Sequence, residues 1–203
     1  MSTYTVLAAP AQFTHEQKRS TFIALLSPVQ TREQDLQRVE EVREEIPGAR
    51  HYCWAYVLGS TDQPRAQAFS DDGEPGGTAG KPILNVLQQR GVGDSLAVVV
   101  RWFGGIKLGA GGLVRAYGAA VSGAVNLANL AEVSPSTEVE IAVGFAMEER
   151  LRHLLTSYQL APHAVDYSDR VTLRVSVPEA ELHRLEREAS NMAAGDMTWR
   201  ECG

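Results

Sequence analysis

At 203 residues, 44% hydrophobic and 22% charged, the chain has the length and composition of one or two globular domains, which excludes disordered and fibrous classes. No apolar run approaches the roughly 18 residues of a spanning helix, and no basic stretch with a long apolar run opens the sequence, so a cytosolic protein without membrane or secretory segments is expected. A net charge of −6 speaks against nucleic acid as a partner of the whole surface.

The first elements expected are strands at Tyr4–Ala8 and Ser20–Leu26. A helix over Thr31–Glu45 follows, opened by Thr31 with Gln34 three residues on and stopped by Pro47-Gly48. His51–Gly59 is rich in aromatic and β-branched residues and reads as a strand, with a shorter one at Gln67–Phe69. A glycine-rich loop, FSDDGEPGGTAGKP over residues 69–82, comes next, and Thr78 is placed to cap a helix running to about Gln89. Ser95–Phe103 is almost continuously apolar, as in a strand buried on both faces. A second glycine cluster, RWFGGIKLGAGGLVRAY over residues 101–117, leads into a helix of small residues ending near Leu130.

Pro135 and the polar residues 134–137 mark a domain boundary, giving domains over 1–135 and 136–203. Beyond it the order is strand (Glu138–Phe145), helix (Met147–Tyr158), strands (His163–Tyr167 and Val171–Val177), helix (Pro178–Ser190) and strand (Asp196–Glu201). That βαββαβ order is the ferredoxin-like plan, so the whole chain is expected to be α+β.

Charge is unevenly spread. Residues 1–135 carry 12 Lys and Arg against 13 Asp and Glu, whereas residues 136–203 carry 7 against 12. No acid lies between Asp94 and Glu132, while Arg101, Lys107 and Arg115 do, so the second glycine cluster is a local basic island. Gly104, Gly105, Gly109, Gly111 and Gly112 let a phosphate approach the backbone there, or let the loop pack closely on the sheet. Lys81, in the first turn after Thr78-Ala79-Gly80, offers a further anion contact. Trp102 and Tyr117 are candidates for base stacking or for the core.

Named nucleotide motifs fail on spacing. A phosphate loop G-x-x-x-x-G-K-[ST] ending at Gly80-Lys81 would need glycine at Pro75 and a hydroxyl at Pro82. A dinucleotide fingerprint from Gly109 and Gly111 would need glycine at Val114. Asp71, Asp72 and Glu74 are either a tight turn or an acidic site able to hold magnesium or receive an arginine. Cys53 and Cys202 have neither disulfide nor zinc spacing, and His51 two residues from Cys53 does not make a catalytic pair. No catalytic residue, resident metal or cofactor is assigned.

Residues 69–84 and 98–117, with KRSTFIA (18–24) and HYCWAY (51–56), resemble the signature of the IMPACT/YigZ family across about residues 18–117. Residues 136–203 are similar to the small C-terminal domain of its bacterial branch. The resemblance implies an N-terminal α/β domain like the second domain of a small-subunit ribosomal protein, followed by a ferredoxin-like domain. Together they look like the last domains of the translocation elongation factor, which contact RNA on the ribosome. It also implies a role in translation. The eukaryotic control of a stress-responsive kinase uses a separate interaction domain and is not carried over.

The expected function is therefore a non-enzymatic translation-associated regulator that binds RNA or the ribosome through the basic glycine surface, with a protein partner for the acidic second domain. The alternatives are a magnesium-dependent enzyme or binder of a small phosphate-bearing ligand, and a protein-interaction module.

Overall fold

The structure, a computed structural model, describes residues 3–202. The first unit, Tyr4–Val133, runs through β1 (Tyr4–Leu7), β2 (Ala11–Gln17), β3 (Ser20–Pro28), α1 (Arg32–Glu45), β4 (His51–Gly59), β5 (Pro64–Ser70), α2 (Gly80–Gln89), β6 (Val92–Gly93), β7 (Ser95–Trp102), α3 (Ala110–Leu127) and β8 (Leu130–Val133). Five strands pair in the order β2-β3-β7-β4-β5, antiparallel throughout.

The apolar run of β7 has its reason in this position. Strand side chains alternate between faces, and both faces of the central strand are covered. Leu96, Val98 and Val100 share a core with Val39 and Val42 of α1, while Ala97 and Val99 share one with Ile83 and Leu87 of α2 and Leu113, Ala116 and Tyr117 of α3. The small residues of α3 permit close approach: a Cβ on Gly123 would lie 2.2 Å from the Phe13 ring of β2. A second, small sheet joins β6-β1-β8.

The α1 cap forms as expected, Gln34 N–H donating to Thr31 Oγ1 at 3.3 Å. One residue of α1 is unusual. Asp35 is 1% exposed, and neither carboxylate oxygen has a hydrogen-bond partner among the described residues. Burial, then the neighbouring Asp94 and Glu33 carboxylates, pushes its pKa up to about 7.

Three expectations are corrected, and a strand appears where none was expected. Ala11–Gln17 is a strand; its alternation is weak because only Ala11 and Phe13 are apolar. The α3 helix stops at Leu127, and Leu130–Val133 instead pairs antiparallel with β1. Thr78 does not cap α2: its hydroxyl donates to the Pro75 carbonyl at 2.6 Å, and the helix begins at Gly80. In the second unit, Pro178 ends a strand rather than opening a helix.

That second unit, from Ser134 onward, contains β9 (Ser136–Val143), a 3-10 turn (Phe145–Met147), α4 (Glu148–Ser157), β10 (Ala164–Tyr167), β11 (Val171–Pro178), α5 (Leu182–Met192) and β12 (Met197–Cys202). The antiparallel order β10-β11-β9-β12 is ferredoxin-like. Ile141, Leu173 and Val175 of the sheet pack with Leu151, Leu155 and Leu185 of the helices.

Candidate functional site

The acids of the first glycine loop all have internal partners. Asp71 Oδ2 accepts from Gly77 N–H at 2.7 Å, and its Oδ1 accepts from Ala79 and Gly80 N–H at 3.0 and 2.8 Å. This carboxylate caps the start of α2 in place of Thr78, occupying the N–H groups that an external anion would use. Burial pushes the Asp71 carboxyl upward, but the donors of Gly77, Gly80 and Ala79 outweigh it and hold it below the usual range. Asp72 accepts from Arg43 at 2.9 Å and from Tyr52 N–H at 2.7 Å. Lys81 is exposed in the first turn of α2.

Glu74 and Arg101 meet in the interior. Their side chains are 4% and 7% exposed, with Arg101 Nη1 donating to Glu74 Oε1 at 2.5 Å. The Tyr117 hydroxyl donates to the same oxygen at 2.7 Å. Cys53 Sγ lies 3.3 Å from that hydroxyl and 3.0 Å from the Asp71 carbonyl oxygen. Burial pushes the Cys53 thiol up to about 12 and the Tyr117 phenol well above its usual range. Both therefore stay protonated, and Cys53 is inert as a nucleophile. Arg101 thus ties the end of β7 to the first loop rather than standing beside Lys107 and Arg115 at the surface. A lone arginine in an apolar strand needs a buried acid, and Glu74 supplies it. Among the described residues, no three His, Cys, Asp or Glu side chains gather as a metal site.

The second loop is open. Lys107 and Arg115 are exposed, as are Gly105, Gly109 and Gly111. Gly105 and Gly109 have φ of 84° and 73°, and α3 begins after Gly109 with no side-chain cap and no acid in its first turn. Gly112 is buried; a Cβ there would lie 2.9 Å from the Leu108 Cβ. Gly104 is the tightest: a Cβ would lie 1.9 Å from the Arg19 carbonyl oxygen, so the loop rests on the turn between β2 and β3. Trp102 and Tyr117 pack in the two cores. The exposed apolar side chains of the region are instead Phe103, Ile106 and Val114, at 54%, 42% and 41%. Sequence reading passed over Phe103 because it ends an apolar run, and Lys18 and Arg19 because they lie far off in the chain.

The family model described as the Impact N-terminal domain matches residues 18–125. The chain belongs to the IMPACT family. A second model, described as a domain of unknown function (DUF1949), matches residues 141–196. The chain is 39% identical to the IMPACT family member YigZ of Escherichia coli (strain K12) over 97% of both chains. It is 39% identical to Protein IMPACT of Oryctolagus cuniculus over 95 residues, 45% of this chain and 29% of that one. A solved structure titled as that of a hypothetical protein superposes with a TM-score of 0.77 at 37% identity, covering 100% of this chain and 98% of that one. No helix among the described residues is long and apolar enough to cross a membrane.

Proposed function

We propose that this IMPACT family member is a non-enzymatic, cytosolic, translation-associated regulator that binds RNA or the ribosome through the open second glycine loop. The observation carrying this reading is the contrast between two helix starts. The start of α2 is filled by Asp71 of the same chain, whereas α3 starts at exposed glycines with no cap, no acid in its first turn, and exposed Lys107 and Arg115 at its edges. Backbone N–H groups and flanking cations are the equipment of a phosphate contact. The link to translation rests on the family resemblance. Lys107, Arg115, Gly105, Gly109 and Gly111 would meet phosphate directly, Lys81 would add charge, and Arg101 would act through the loop it anchors. The acidic second unit suits a basic protein partner better than RNA.

The test is fluorescence anisotropy of labelled RNA over a salt series, comparing wild type with Lys107→Gln/Arg115→Gln. Arg101 is left intact because its loss would strand Glu74. Salt-steep binding that the variant weakens and flattens supports the reading; no RNA binding by the folded wild type overturns it.

A further inference from the structure

Phe103 is 54% exposed although it follows directly on a buried strand. Its ring does not hang free. The guanidinium carbon of Arg101 lies 5.7 Å from the Phe103 ring centroid and 5.4 Å from that of Phe22, which is fully buried. Arg101 is in turn held by Glu74, and Glu74 by Tyr117. The buried ion pair thus backs one face of Phe103 with a fixed cation and leaves the ring open to solvent.

Two separate segments bring further basic residues to the neighbourhood of Phe103. Gly104 N–H donates to Ser20 Oγ at 3.2 Å, and the near-contact of Gly104 with the Arg19 carbonyl brings the β2–β3 turn against the loop. Lys18 and Arg19 of that turn are both exposed, at φ of 47° and 65°. Lys107 follows four residues after Phe103. A half-exposed aromatic on a loop flanked by exposed basic residues matches a ligand that alternates planar rings with negative charge.

We propose that this surface binds single-stranded RNA, with one base stacked on Phe103 and the adjoining phosphates on Lys18, Arg19 and Lys107. The inference rests on the RNA reading above and narrows it to unpaired strand. In a duplex the base faces are already stacked on one another, so Phe103 would find no partner. An acidic polypeptide would satisfy the cations but would leave the ring without a role.

The experiment titrates the full chain into a fluorescein-labelled oligouridylate and into a blunt-ended RNA duplex of equal length. The single strand is expected to bind more tightly. Loss of one base stack costs about 1–3 kcal/mol, so Phe103→Leu should weaken oligouridylate binding about 5- to 150-fold while leaving the salt slope unchanged. Phe103→Trp should restore affinity, and the emission of that variant should be quenched on binding. Lys18→Gln/Arg19→Gln should lower the slope by about 1.4, from roughly 0.7 per phosphate contact on a single strand. Wild-type affinity in folded Phe103→Leu would overturn the inference, while a loss in Lys107→Gln/Arg115→Gln would keep the parent reading. Equal or tighter binding of the duplex would overturn it in the same way. Binding of polyglutamate and not RNA would overturn both.

Discussion

Arg101→Ala should be among the most destabilising changes available in the first unit. The guanidinium and the Glu74 carboxylate are 7% and 4% exposed and 2.5 Å apart. Removing the arginine leaves a carboxylate in the interior whose remaining hydrogen bond is from Tyr117. Breaking one partner of a buried ion pair costs about 3–5 kcal/mol, because the survivor keeps its desolvation penalty without its compensation. For a unit of this size that corresponds to a fall in Tm of roughly 10–20 °C. Glu74→Gln keeps an acceptor for Tyr117 and removes the charge, so Arg101→Ala/Glu74→Gln should recover much of the loss. Urea and thermal unfolding, followed by circular dichroism and the fluorescence of Trp54 and Trp102, measure the four corners of the cycle. A loss below about 1 kcal/mol in Arg101→Ala, or additive effects in the double variant, would refute the buried-pair reasoning.

Two other perturbations read different parts of the fold. The Asp35 carboxyl has its pKa raised from 3.8 to about 7 in the folded protein. The folded state therefore holds a proton that the unfolded chain has released, and stability falls by up to about 1.4 kcal/mol per pH unit as pH rises from 4 to 7. Asp35→Asn should remove that slope, being most stabilising relative to wild type above pH 7; parallel pH profiles for the two proteins would contradict it. Gly104→Ala places a Cβ 1.9 Å from the Arg19 carbonyl oxygen, a backbone contact that cannot give way cheaply. It should lower stability and weaken RNA binding together, whereas unchanged RNA affinity would show that the loop–turn contact does not shape the surface.

The scaffold was legible where burial writes a pattern. The run over β7 and the aromatic residues of β4 marked the sheet, and the βαββαβ order of the second unit followed from alternation in residues such as Leu173 and Val175. The missed elements lack such a pattern: β2 is an edge strand with only Ala11 and Phe13 apolar, and β8 is a short strand defined by its pairing to β1. The site was harder, because charge in sequence does not disclose depth. Arg101 sits among apolar residues and has its partner 27 positions away in Glu74. Asp71 reads as a turn former, yet it reaches forward to cap α2. Lys18 and Arg19 come beside the loop because Gly104, lacking a side chain, lets the β2–β3 turn approach. The exposed half, Lys107 and Arg115 beside uncapped α3, was visible as a stretch without acids.

The measurement that bears most directly on the central claim is the salt dependence of RNA affinity for wild type and Lys107→Gln/Arg115→Gln. Two lost contacts on a single strand should reduce the slope of log affinity against log salt by about 1.4 and weaken binding across all sequences alike. An unchanged slope, with affinity intact, would show that the open start of α3 is not where this protein meets RNA.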